Sequence, residues 1–224
     1  MNRVVIVTGA AGVLGGALVS RLVGDGLTVV GVDHADAMDD LGQAAFVGGC
    51  DLTDADAARQ VYAQIAQDHG AIAGLANIAG GFAWETLAEG EVAAWDRMYA
   101  LNVRTTLNSC RAALPLMNGT DGAIVNVGAA GAVKAGAGMG AYAASKSGVM
   151  RLTEALAEEC KENGPRVNAV LPSIIDTPSN RRDMADEDFS RWVSAEALAN
   201  VIAFLLSDAA RAMTGALVPV TGRV

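Results

Sequence analysis

In the stretch Tyr142-Ala143-Ala144-Ser145-Lys146, a tyrosine and a lysine stand four residues apart. The surrounding pattern, from about Ala141 to Glu162, predicts a long helix. Four residues is slightly more than one helical turn, so both side chains leave the same face. A free tyrosine has a pKa near ~10 and is a poor acid or base at neutral pH. A neighbouring ammonium favours the phenolate and draws that pKa down. A fall of two pKa units would require roughly 2.7 kcal/mol, within reach of one close, partly buried cation. The expectation is therefore a tyrosine activated by Lys146. By themselves the five residues also describe an ordinary exposed helix pair, and the rest of the chain decides between the two.

The elements that must position this pair begin at the N-terminus. Arg3-Val4-Val5-Ile6-Val7-Thr8 is a continuous β-branched run, the pattern of a strand buried on both faces. Gly9-Ala10-Ala11-Gly12-Val13-Leu14-Gly15 follows, then a helix to about Asp25 with Leu14, Leu18 and Leu22 on its inner side. Strand, glycine turn and helix form a dinucleotide-binding entry. The glycines permit a tight turn and close backbone approach, and the helix N-terminus offers N–H groups to a pyrophosphate. A second strand, Leu27 to Val32, ends at Asp33. A carboxylate there accepts from the ribose 2′-OH of NAD and repels the 2′-phosphate of NADP. No Lys or Arg lies in residues 9–20 or just after Asp33 to rescue that phosphate. Asp36, Asp39 and Asp40 read as loop and capping residues.

Ala44 to Val47 predicts a third strand, and Ala55 to Asp68 a helix capped by Thr53 or Asp54. Asp51 is placed to face an adenine amino group. The fourth strand, Ala71 to Ile78, leads into Asn77-Ile78-Ala79-Gly80-Gly81 at its C-terminal end, where an open α/β sheet binds its ligand. Phe82 and Trp84 follow, as substrate wall or as packing. A long helical pattern from Glu91 to Leu114 carries Trp95, Met98, Leu101 and the polar Asn102, and Pro115 ends it. Asn102 is either a satisfied buried amide or a hydrogen-bonding post for water or Lys146. Gly122 to Val127 is a fifth strand, followed by a Gly/Ala loop, the Tyr142/Lys146 helix, a sixth strand from Arg166 to Leu171, a loop from Pro172, a helix from about Ala195 to Leu206, and a seventh strand from Ala216 to Val220. The alternation predicts one α/β domain over 1–224, a doubly wound Rossmann-type parallel sheet of about seven strands with helices on both faces.

Composition narrows the function. The 224 residues carry a net charge of −9 and no Lys/Arg cluster beyond Arg181-Arg182, which argues against a nucleic-acid surface. Cys50, Cys110 and Cys160 are far apart and odd in number, with no metal-ligand spacing, so buried thiols in a reduced compartment are expected. Of the two histidines, His69 reads as a solvated helix end. The chain enters a strand within three residues, and no uncharged apolar run reaches membrane-spanning length. These features predict a cytoplasmic protein without a membrane or metal partner.

In order and spacing, Thr8-Gly9, Gly12, Gly15, Asp33, Asp51-Leu52, Asn77-x-Ala79-Gly80, Asn102, Tyr142-x-x-x-Lys146, Asn168-Ala169-Val170-Leu171-Pro172 and Thr177 resemble the short-chain dehydrogenase/reductase family over essentially the whole chain. The resemblance implies hydride transfer to or from a nicotinamide, with NAD(H) preferred over NADP(H) because of Asp33. It implies Tyr142 as general acid, Lys146 as ribose ligand and pKa modulator, and Asn102 as support for a relay water. It implies cofactor contacts from Gly9, Gly12, Val13, Leu14, Gly15, Asp51, Leu52, Asn77, Ala79, Gly80, Pro172, Ile175 and Thr177, and a homodimer or homotetramer packed through the Glu91–Leu114 and Ala141–Glu162 helices.

Two departures stand out. The glycines are spaced by three, and the family's usual catalytic serine, thirteen residues before the tyrosine, is Ala129. No Ser or Thr occurs from Asp121 to Ala144. The quinonoid dihydropteridine reductase branch shares both departures, and is similar also in Ala79-Gly80-Gly81, in Asp176-Thr177-Pro178-x-Asn180-Arg181 and in Asp188-Phe189-x-x-Trp192. That likeness implies a quinonoid dihydropterin or similar conjugated imine as acceptor, beside Ala129 and walled by Phe82, Trp84 or Trp192. The alternatives are reduction of ketones such as 3-oxoacyl thioesters, and dinucleotide sensing without turnover.

Overall fold

The computed structural model describes residues 4–38, 42–117 and 122–224. The reading of Asp39 and Asp40 as loop residues lies outside these. Seven parallel strands form the central sheet. They are β1 (Val4–Thr8), β2 (Thr28–Val32), β3 (Ala45–Val47), β4 (Ile72–Asn77), β5 (Ala123–Val127), β6 (Arg166–Pro172) and, at the far edge, β9 (Leu217–Val220). Their order is β3-β2-β1-β4-β5-β6-β9. The chain starts at the centre, winds outward to β3, crosses back to β4 and winds outward again, which is the doubly wound topology expected from the alternating pattern. The β-branched runs read as buried strands are buried: β1, β5 and nearly all of β2 are covered on both faces.

Two apolar layers cover the sheet. On one face, α1 (Val13–Gly24) and α7 (Ala195–Leu206) pack Leu14, Leu18 and Leu22 with Leu198, Ile202 and Leu205 against β1 and β5. On the other, α2 (Ala55–His69), α4 (Thr105–Ala113) and α5 (Gly140–Glu159) bring Tyr62, Ile65, Cys110, Ala113 and Leu156 against Ile6, Leu75 and Ile124. Of the two candidate caps for α2, Asp54 is the one used; its carboxylate accepts from the N–H groups of Asp56 and Ala57. The buried Asn168 ties the edge strand on, donating to the Met213 carbonyl and accepting from the Ala216 N–H. Cys50 and Cys110 are buried as expected, whereas Cys160 is only half-buried at the end of α5. Burial pushes the Cys110 thiol up to about 12. Among the described residues, no helix is long and apolar enough to cross a membrane.

The structure departs from the sequence pattern in two places that matter for the site. The long pattern from Glu91 is not one regular helix. It is α3 (Val92–Met98), a π-helical turn (Tyr99–Arg104) and α4, running on without a break. And the segment after Pro172, read as loop, holds two two-residue strands, β7 (Ile175–Asp176) and β8 (Val193–Ser194), paired in parallel around a short helix, α6 (Pro178–Asp183). Elements of two residues carry no periodicity to read.

Candidate functional site

Four segments meet at the C-terminal edge of the sheet. The first is the turn after β1. Gly9 has φ +65°, and a Cβ there would lie 2.8 Å from the Ala79 nitrogen. A Cβ on Gly15 would lie 2.0 Å from the Gly9 carbonyl oxygen, so α1 can sit this close to the turn only with glycine at 15. Gly12 is the N-cap of α1 and offers no side chain to the first-turn N–H groups, which therefore face outward without an intrahelical partner. Val13 is exposed, whereas Leu14 is buried in the core and can serve a ligand only through its backbone. A cradle that a side chain would fill, opening on uncapped N–H groups at a helix N-terminus, fits a dinucleotide pyrophosphate.

The second segment is the turn after β4. Thr8, buried at the end of β1, accepts from both the Ile78 and Ala79 N–H groups at 3.0 and 3.1 Å. This hydroxyl locks the two turns together; its position at the end of a buried apolar strand was the signal available for it. Asp33 does comparable work on the other side. One carboxylate oxygen accepts from the Ala11 N–H at 2.9 Å and the other from the Ala35 N–H at 3.0 Å. Each oxygen keeps a second lone pair, so the residue can brace the glycine turn and still accept from a ribose hydroxyl. Asp51 accepts from both the N–H and the hydroxyl of Thr53, and these bonds hold its carboxyl below the usual range.

The third segment carries Asn102, and the π-helical turn explains how it gets there. A π turn adds one residue to a helical turn and leaves carbonyls out of register with the i+4 N–H groups. Here the Leu101 and Asn102 carbonyls are taken by the hydroxyls of Thr105 and Thr106 at 2.6 and 2.8 Å. The Asn102 side chain, fully buried, accepts from the Gly81 N–H and donates to the Gly81 carbonyl, both at 3.0 Å. Its second N–H goes to the Ser145 hydroxyl at 2.9 Å.

The fourth segment is the start of α5. The Lys146 amino group, on a side chain only 6% exposed, donates to the Val127 carbonyl at the end of β5 at 2.8 Å. A Cβ on Gly80 would lie 2.6 Å from the Asn102 amide oxygen and 3.3 Å from this nitrogen, so Gly80 too is needed as glycine. Tyr142 is packed edge-on by Phe82, ring centroids 4.9 Å apart. Trp84 covers Gly138, whose φ is +75° and whose Cβ would collide with the indole. Phe82 and Trp84 are each 59% exposed and border the Tyr142 ring and the loop before α5. Ala129 is buried in extended backbone two residues past Val127.

Several expectations need correction. Lys146 does not draw the tyrosine pKa down in the free protein. Burial dominates both groups, pushing Tyr142 up to about 12 and Lys146 down to about 8. Desolvation disfavours whichever form is charged, so it acts on the two in opposite directions. Trp192 is not a wall of this site: it is buried, only 7% exposed, and packs against Phe189 with centroids 4.8 Å apart and the rings tilted by 51°. Arg181 covers the other aromatic of that pair, Phe189, while pairing with Asp176 through two bonds. The Asn77 amide is spent inside the sheet, donating to Asn126 and Cys110, and the Leu52 side chain lies in the core with its carbonyl bonded by Asn108. The Asn77 amide oxygen is buried without a hydrogen-bond partner. Thr177 caps α6 by accepting from the Asn180 N–H, and the Ile175 carbonyl accepts from the Asn180 amide at 2.7 Å. Pro172 closes β6 beside Val220, at the sheet edge where the site opens.

The depressed Lys146 pKa has a measurable consequence. Between its folded value of about 8 and its ordinary value of 10.5, the folded protein binds fewer protons than the unfolded chain. Its contribution to stability is therefore fully present above the ordinary value and is lost as pH falls through the folded one. Urea midpoints of the cofactor-free protein, taken relative to Lys146→Met, should rise between about pH 7.5 and about pH 10. Tyr142 titrates in both proteins and drops out of the difference. A flat difference would contradict a buried amine.

Comparison with known proteins agrees with this geometry. The family described as short chain dehydrogenase matches residues 3–188. The chain is 31% identical to 2-(S)-hydroxypropyl-CoM dehydrogenase 3 of Xanthobacter autotrophicus, over 99% of this chain and 96% of that one. It is likewise 31% identical to the 3-oxoacyl-[acyl-carrier-protein] reductase of Thermotoga maritima, over 99% and 97%. Among solved structures, the ligand-free aldohexose dehydrogenase of Thermoplasma acidophilum superposes with a TM-score of 0.88 at 27% identity, covering 99% of this chain and 93% of that one. With the glycine cradle, the parallel sheet and the Tyr142/Lys146 pair in place, the chain belongs to the short chain dehydrogenase family and is an NAD(P)-dependent oxidoreductase.

Proposed function

We propose that this protein reduces a planar, conjugated imine or carbonyl acceptor, of the quinonoid dihydropterin class, with NADH. The observation that carries the reading is Ala129: the site offers the Tyr142 hydroxyl and, at the position two residues past Val127, a buried methyl in place of a hydroxyl. Hydride addition to a simple ketone builds charge on one oxygen, and two donors stabilise it better than one. In a conjugated acceptor the charge spreads over the ring, so one donor suffices. The exposed faces of Phe82 and Trp84 suit a flat ring beside Tyr142.

A bound nicotinamide dinucleotide supplies the hydride. The Gly9–Gly15 cradle and the α1 N-terminus would hold its pyrophosphate, Asp33 its adenosine ribose, and Lys146 its nicotinamide ribose. Tyr142 then gives its proton to the acceptor nitrogen or oxygen as the hydride arrives. Its raised pKa keeps that proton in place at neutral pH until a developing negative charge draws it off. Asn102 holds the Gly80-Gly81 turn against the site. The Asp33 carboxylate supports NADH over NADPH, by roughly 5- to 150-fold in kcat/KM.

The second reading is reduction of ketones, and the names of the relatives favour it. Besides the 3-oxoacyl reductase, the chain is 29% identical to the acetoacetyl-CoA reductase of Allochromatium vinosum over 99% of its length. A panel separates the readings: quinonoid dihydropterin, simple ketones and 3-oxoacyl thioesters, each with NADH and NADPH, on wild type and Ala129→Ser. The first reading expects the pterin to be far the fastest, NADH to be preferred, and Ala129→Ser to leave the pterin rate unraised. The same substitution would lower a weak ketone barrier by up to ~2–4 kcal/mol, the range for one positioned donor. A wild type that handles ketones and ignores the pterin gives the second reading the site.

The same reading includes a homo-oligomer and a cytoplasmic setting. Trp95 and Tyr99, both exposed, line a shallow cavity of about 290 Å³ with Val103, Ala144 and Gly148, between the α3–π segment and α5. Asp96 and Ser145 also line it, and a largely apolar face of this kind on two neighbouring helices supports pairing of two copies there. Sedimentation at the mass of a dimer or tetramer is expected; a monomer at micromolar concentration would rule it out.

A further inference from the structure

We infer that Ser145, acting through Asn102 and the Tyr142 backbone, is a positioning residue for the Tyr142 reaction. This inference rests on the reading of Tyr142 as proton donor. The Ser145 hydroxyl is buried and makes two bonds: it accepts from the Asn102 amide at 2.9 Å and donates to the Tyr142 carbonyl at 2.7 Å. A serine in a helix often bonds back to the preceding turn and gains little by it. Here the back-bond fixes the direction of the hydroxyl proton, which leaves a lone pair aimed at Asn102. One hydroxyl thus joins the first turn of α5 to the π-helical turn that carries Asn102.

The amide has no slack. Asn102 has two N–H donors, one to the Gly81 carbonyl and one to Ser145, and its oxygen accepts from the Gly81 N–H. Without the Ser145 hydroxyl, a fully buried N–H loses its acceptor. Such a group must turn or admit water. A turn of the amide moves its oxygen, which lies 2.6 Å from the point where a Cβ on Gly80 would be; the Lys146 nitrogen lies 3.3 Å from that same point. The amide oxygen and the lysine nitrogen flank one spot above the Gly80 backbone. A change at Ser145 therefore reaches Lys146 and the Gly80-Gly81 turn through Asn102.

The test is a double-mutant cycle on turnover with the best acceptor of the panel. Ser145→Ala should lower kcat by about tenfold, and in an Asn102→Ala background it should add less than about twofold, because the two share one bond. Ser145→Thr, which restores the hydroxyl, should recover most of the lost kcat. Thermal melts show whether each variant folds. If Ser145→Ala does not fold, Ser145→Cys takes its place, since a thiol of similar size is a weak donor and a weak acceptor. An unchanged kcat, or losses that multiply in full across the cycle, overturns the inference. Tyr142→Phe run in the same assay separates the two levels. If Tyr142→Phe is fully active, the proposed role of Tyr142 fails; if it is inactive while Ser145→Ala is fully active, only the positioning role of Ser145 fails.

Discussion

The Lys146 amino group, buried and bonded to the Val127 carbonyl, is the constraint around which the site is built. An ammonium taken out of water needs partners, and burial without enough of them lowers its pKa. The end of β5 supplies one carbonyl, and the absence of a side chain at Gly80 leaves the room. The Asn102 amide oxygen flanks the same spot above Gly80, and the amide is held by bonds to the Gly81 backbone and to Ser145. Each feature is local, but the set requires that β4, β5, the π-helical turn and α5 all end at the same edge of the sheet. The parallel topology brings them there.

The π-helical turn follows from the same constraint. Asn102 must face the Gly80-Gly81 turn while α3 and α4 keep their apolar sides on the sheet and on α5. One extra residue in a turn rotates the two helical halves relative to each other. Within this turn the Ala100 carbonyl accepts from the Thr105 N–H, and the Leu101 and Asn102 carbonyls accept from the Thr105 and Thr106 hydroxyls. Two consecutive threonines just after a buried asparagine thus have a physical reason, although neither touches the site.

Where a residue's role follows from backbone pattern, the sequence was legible. The β-branched runs became the sheet, in the doubly wound order, and the Gly9–Gly15 spacing became the turn in which added Cβ atoms would strike the backbone. Where the role depends on which way a side chain turns in three dimensions, it was not. Asn77 follows the motif, yet its amide points into the sheet toward Asn126. Trp192 lies in a stretch with no period, and only the three-dimensional structure shows that it is buried against Phe189. The direction of the Tyr142 shift could not be read either, because spacing gives proximity on a helix face but not depth of burial. The π-helical turn was hidden because the apolar spacing from Trp95 to Leu114 fits one continuous helix nearly as well.

The central proposal is that Tyr142 and Lys146 serve one chemical step, the tyrosine as proton donor and the lysine through the nicotinamide ribose it would hold. Single-turnover hydride transfer from NADH, measured at saturating cofactor for Tyr142→Phe, Lys146→Met and the double variant, tests it most directly. Groups that share one step lose little more together than the worse one loses alone, so the double variant should fall within about threefold of the worse single variant. Losses that multiply in full would mean that the two side chains act independently, and would contradict the account.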